Sequence, residues 1–147
     1  MVDFTLLSEL NIWAIFFSAL AAFLVGAFWY SPMMFARPWM KGKGISPSKA
    51  MKGNMGFSMV MNFLANLVQA FILAFFLDFW GKVSMLSKSN VWWENLTFVF
   101  WIWLAFILVY ALNEVLWGGQ KPSVFFIQIS CNATCLFVMT TILSHWS

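Results

Sequence analysis

The chain has 147 residues, of which 63% are hydrophobic, 20% aromatic and only 9% charged, with a mean hydropathy of +0.84. Soluble domains carry about 25% charged residues, and a domain this small leaves most of its residues in contact with solvent. The composition therefore excludes a water-soluble globule. The small net charge of +3, carried by bases gathered mainly in one loop, excludes the basic face that a nucleic-acid binder needs.

Met1 to Leu10 reads as a short amphipathic lead-in, with Ser8 as a helix cap. It carries Asp3 and Glu9 and no base, which disfavours a cleaved signal peptide, so the first hydrophobic span is expected to be retained. That span covers residues 11–30. Ile12 to Trp29 holds no charged residue and, at about 1.5 Å per residue, covers about 27 Å, close to the thickness of a bilayer's hydrocarbon core. Ala14, Ser18, Ala22 and Gly26 follow one another at four-residue steps and so share a helical face. Small residues at this spacing let membrane helices approach closely, because lipid supplies no hydrophobic drive between them; alanine is also simply common in such helices.

Trp29 and Tyr30 mark a lipid–water boundary, and Pro32 disfavours the helical conformation at Ser31. A basic arm follows, from Met33 to Lys43. Phe35 and Trp39 can sink into the interface while Arg37, Lys41 and Lys43 reach lipid phosphates, each base contributing about 1 kcal/mol near an anionic leaflet. An ordinary cytoplasmic loop bearing topological charges is the compatible, plainer reading. Ser46-Pro47 looks like an N-cap and first-turn proline.

The second span is expected at residues 56–78. Ser58, Asn62, Asn66 and Gln69 form a polar wedge along it, since three- and four-residue steps nearly cancel around a helix. Amides in hydrocarbon are costly unless partnered, so the wedge is expected to face protein, as structural glue or as the wall of a path. Gly81 to Glu94 reads as a solvated link, and Trp92 and Trp93 mark an interface. The third span is expected at 95–113, with Trp101 and Trp103 at depth and Asn113-Glu114 closing it; Glu114 is expected to be wetted or paired with Lys121. Trp117 to Pro122 is a tight turn that makes the third and fourth spans an antiparallel hairpin. The fourth, at 123–143, carries a second soft wedge: Gln128, Cys131, Asn132 and Cys135. This wedge is the natural partner of the first, within one subunit or across two. The two cysteines share one helix face and resemble neither a disulfide framework nor a redox motif. His145 and Trp146 end the chain at the interface.

The run Gly26-Ala27-Phe28-Trp29-Tyr30-Ser31-Pro32, followed by Phe35 and Trp39-Met40-Lys41, resembles the signature of a family of small bacterial membrane proteins, domain of unknown function family seventeen-sixty-one. Trp101 to Phe106 and Gly119 to Pro122 resemble the family's second half. The resemblance covers nearly the whole chain and implies four membrane helices with no assigned activity. Ala105 departs from it, standing where the family is expected to have glycine.

The fold expected is therefore all-α: a single polytopic domain of four transmembrane helices, with a basic interfacial arm between the first two. Arg37, Lys41, Lys43, Lys49, Lys52 and Lys121 lie on one side of the membrane, and only Lys82 and Lys88 on the other. The positive-inside rule then places the arm in the cytoplasm and both termini outside, across a plasma membrane, the inner membrane in a bacterium. No paired carboxylates, nucleophile–base set, phosphate loop or metal-ligand spacing is present, and no acid sits mid-span to relay protons. Neither an enzyme nor a cofactor or metal site is expected. A protein acting by association, as a homo-oligomer or accessory subunit, is the leading expectation. A small-solute transporter or channel lined by the wedges is the rival, and binding of a phospholipid is a weaker third.

Overall fold

The structure, a computed structural model, describes residues 8–46, 48, 53–83 and 91–146. The readings that rest on residues 1–7, Pro47, Lys49, Lys52 and Lys88 fall outside them. Every regular element described is helical: α1 (Ile12–Trp29), α2 (Ala36–Lys43), α3 (Met55–Val83), α4 (Val91–Ile102), a π-helical segment (Trp103–Leu108), α5 (Val109–Leu116) and α6 (Pro122–Trp146). The π segment joins α4 and α5 into one continuous span. Four helical spans are long and apolar enough to cross a membrane: Ile12–Trp29, Met55–Lys82, Trp92–Leu116 and Pro122–Trp146.

Local chemistry sets the ends of these helices, and several differ from the expected positions. The cap of α1 is Asn11, not Ser8: its side-chain oxygen accepts from the Trp13 and Ala14 amides at 3.1 and 3.2 Å. The same side chain donates to the Trp146 carbonyl at 3.1 Å and so ties the start of α1 to the end of α6. Asn54 caps α3 by accepting from the Phe57 amide at 3.1 Å, which moves its start to Met55. The third span is longer than expected at both ends. Trp92 and Trp93 belong to α4, and Asn113-Glu114 do not close α5, because neither residue obliges a helix to stop; Gly118-Gly119 do, with Gly119 at a φ of 70°. Pro122 opens α6, where its fixed φ and missing N–H cost nothing.

α1 is the central element. It packs against α3 on one side and α6 on the other, while α4 packs on α6. Ala14, Ser18, Ala19 and Ala22 are all but completely buried in these contacts. The Ser18 hydroxyl, with no water to reach, donates back to the Ala14 carbonyl at 2.6 Å. The core continues with Ala70, Leu73, Ala74 and Leu77 of α3, Val99 of α4, and Leu136, Met139 and Leu143 of α6. These residues occupy the half of the bundle nearer the chain termini. There, Asn95 donates to Ser144 Oγ at 2.8 Å and Trp92 Nε1 to Thr141 Oγ1 at 3.2 Å, fastening α4 to α6. Trp80 stacks on Phe98 at 4.7 Å, joining α3 to α4. Lys82 pairs with Glu9 at 2.8 Å and with Asp78 at 3.0 Å; exposed pairs of this kind contribute little to stability.

The short helix α2 lies against α6. A Cβ on Gly42 would collide with Val124 Cγ2, so glycine is what allows this approach. Gly44, at a φ of 69°, ends α2 in a left-handed cap.

Candidate functional site

Towards the basic-arm end, α1, α3 and α6 part and leave a groove of about 850 Å³. Its polar lining is Asn62, Asn66 and Gln69 from α3, Gln128, Cys131, Asn132 and Cys135 from α6, and Tyr30 from the end of α1. Ala22, Phe23, Gly26, Met55, Met59 and Val68 supply apolar wall. The two wedges, read on separate spans, thus face one another across a single space. No charged side chain lines it among the described residues.

At about 1.5 Å per residue, Asn62 lies roughly 10 Å and Gln69 roughly 20 Å beyond the first residue of α3. The amides therefore extend from near the membrane surface towards its middle. Asn66 Nδ2 donates to the Asn62 carbonyl at 3.0 Å. Gln128 Oε1 accepts from Gln120 Nε2 at 2.6 Å, so the α5–α6 turn braces the groove's rim. Cys135 Sγ donates to the Ala22 carbonyl at 3.6 Å. Asn132 Oδ1 is buried with no hydrogen-bonding partner among the described residues. Burial pushes the Tyr30 phenol up to about 12.

Not every expected residue takes the role assigned to it. Ser58 is exposed and does not line the groove; Met55 and Met59, on either side of it, hold the groove-facing positions of that turn. Asn62 is also exposed, on the groove's open side, so the wedge faces protein only through Asn66 and Gln69. Gly26 is not a close-packing residue, since a Cβ there would meet nothing within 4 Å; Ala14, Ser18 and Ala22 carry that contact. Glu114 is exposed and makes no ion pair with Lys121 among the described residues. In the arm, Arg37, Lys41 and Lys43 are exposed while Trp39 is half-buried, its ring edge-on to Tyr30 at 5.5 Å.

Two features had no sequence reading. Tyr30, read only as an interface marker, is part of the groove's lining. Trp29 Nε1 donates to the Ile127 carbonyl at 3.1 Å and pins the end of α1 to α6. The aromatic pair carried a signal for both, because each ring brings a polar atom that a buried position must satisfy. A second hollow, of about 710 Å³ between α4 and α6, is almost wholly apolar and bounded by Trp93, Phe100, Trp103 and Phe137.

A family model described as "Protein of unknown function (DUF1761)" matches residues 13–144. The chain belongs to this family. The match takes in all four spans and the groove, and the departure from the expected family pattern, Ala105, falls in the π segment with its side chain exposed. Comparison with curated proteins and with solved structures gives no match.

Proposed function

We propose that this family member is a non-enzymatic membrane protein that acts by association, as a homo-oligomer or as an accessory subunit of a larger membrane complex. The observation that carries this reading is Asn62. Its carboxamide is exposed on a membrane-spanning helix, beside the outward-facing Met59, Met61 and Leu64. Hydrocarbon does not solvate an amide, and a neighbouring helix does. The groove-bearing face of α3 is then the surface that meets the partner. The small-residue face of α1 is consumed within the subunit and does not contribute. The positive-inside rule supports a plasma-membrane setting with the arm cytoplasmic and both termini outside. The exposed bases of α2 suit contact with anionic headgroups.

Native mass spectrometry from mild detergent is expected to show an assembly larger than the monomer, and Asn62→Leu to shift it towards monomer. A clean monomer in nanodiscs with no co-purifying protein overturns the reading.

The convergence of both wedges on one groove favours a second reading, a path for a small, weakly polar solute. Leu73, Leu77, Met139 and Leu143 fill the other half of the bundle, so such a path requires a second subunit or a rearrangement. On this reading Asn66→Leu abolishes flux while assembly stays intact; loss of assembly favours association.

A further inference from the structure

The groove between α1, α3 and α6 gathers sulfur. Met55 and Met59 line it from α3, Cys131 and Cys135 from α6. Each pair is spaced at four residues and so shares one helical face. Read span by span, neither pair has a metal-ligand spacing; only the fold sets them around one space. Both helices start at the basic-arm end, α3 with Met55 and α6 with Pro122. At about 1.5 Å per residue, Met59 lies roughly 6 Å, Cys131 roughly 14 Å and Cys135 roughly 20 Å beyond the first residue of its helix. The thioethers therefore stand at the mouth and the thiols deeper. Met55 and Met59 are exposed on the groove's open side, and three rotatable bonds let each thioether swing. Both cysteines are free thiols and lie close enough to interact with one another.

Charge and softness select the occupant. No charged side chain lines the groove among the described residues, so an ion that keeps its charge there has no partner, and burying it is costly. A monovalent metal ion that replaces a proton avoids that cost. Cu(I) does so: it bonds a thiolate sulfur, the thiol proton leaves for water at the mouth, and the net charge in the groove stays at zero. No electron is transferred. Thiolate and thioether sulfurs are the soft ligands that select Cu(I). Other metals find less here. The described residues hold no group of three His, Cys, Asp or Glu, and two thiols fall short of the four-coordinate shell that zinc takes.

We infer that the groove binds one Cu(I) ion at Cys131 and Cys135, with the Met59 thioether completing its sulfur shell and Met55 at the entrance. The inference goes beyond association through α3. Every ligand comes from one chain, so it stands for a monomer and for an assembly alike.

The test presents Cu(I), as its bicinchoninate complex with ascorbate and without oxygen, to the full chain in phosphatidylcholine nanodiscs. The unmodified protein is expected to withdraw one ion per chain, to release one proton per ion into weakly buffered solution, and to give the X-ray absorption of a sulfur-only shell. Cys131→Ser combined with Cys135→Ser is expected to abolish withdrawal; the substituted hydroxyl can still donate to the Ala22 carbonyl as Cys135 does. Met59→Leu, a swap of similar volume, is expected to weaken binding about tenfold, the lower end of the usual loss beside a metal. Failure of the unmodified protein to take the ion, or a shell of oxygen and nitrogen, overturns the inference without recourse to any variant. So does release of two protons per ion, which would leave a buried charge. Undiminished binding by the double serine variant also overturns it, since the ion would then sit on other methionines.

Discussion

At the scale of single residues, the molecule turns on a few side chains whose size or polarity admits no substitute. Gly42 is one. It seats α2 on α6 against Val124 and Ser123, so Gly42→Ala is expected to cost about 1–3 kcal/mol, the usual penalty of overpacking, and to lower the thermal midpoint in detergent. An unchanged midpoint would mean that α2 does not rest on α6 in solution. Nothing in the sequence around Gly42 marks it out, because its neighbour is some eighty positions away and only the fold brings them together. The amides were legible. Asn62, Asn66 and Gln69, and likewise Gln128 and Asn132, are the polar interruptions of otherwise apolar spans, and helical spacing alone aligns them. What spacing left undetermined was which of them would be enclosed. Gly26 shares a face with Ala22 yet opens onto the groove instead of a neighbouring helix, and at the level of Ser58 the groove-facing positions belong to Met55 and Met59.

Among the elements, α1 carries the greatest constraint. It is held between α3 and α6 through Ala19 and Ala22, whose side chains are almost wholly enclosed. Ala22→Leu is expected to force the flanking helices apart, at about 1–3 kcal/mol, whereas Ala27→Leu, exposed at the open groove where there is room for a larger side chain, is expected to be neutral. Thermal unfolding of the two variants in one detergent makes the comparison; equal effects would contradict the packing. The four spans themselves could be read from hydropathy, because a run that fills the hydrocarbon leaves little choice of structure. The π-helical segment could not. Trp103 to Leu108 has no proline or glycine to announce a change of pitch, and π-helical turns inside α-helices are rare.

For the whole molecule, the two halves of the bundle differ in kind. The half near the termini holds the apolar core, stapled by Asn95 to Ser144, Trp92 to Thr141 and Asn11 to Trp146, with a smaller hollow of about 440 Å³ beside Glu9, Asp78 and Lys82. The half near the basic arm is open and amide-lined. In the orientation proposed from the charge bias, with the arm in the cytoplasm, the groove faces the inner leaflet. A cysteine introduced at Trp146, in a background lacking Cys131 and Cys135, is expected to react with an impermeant maleimide added to intact cells; protection until the cells are lysed would reverse the orientation. Composition was enough to read the four spans, and charge bias to propose their orientation, whereas the contrast between halves depends on the angles between helices, which no single-span pattern encodes.

The central place of α1 also bears on how the protein is made. Its two neighbours emerge from the ribosome at very different times: α3 next among the spans, α6 last. α1 and α3 can dock while synthesis continues, but the opposite face of α1 must wait in lipid until the final helix is inserted. Ala14 and Ser18 suit that delay, since alanine is at ease among acyl chains and the serine hydroxyl is already bonded within its own helix. Only at its two ends does nascent α1 hold polar groups whose partners arrive with α6, Asn11 and Trp29, and these lie where the membrane meets water.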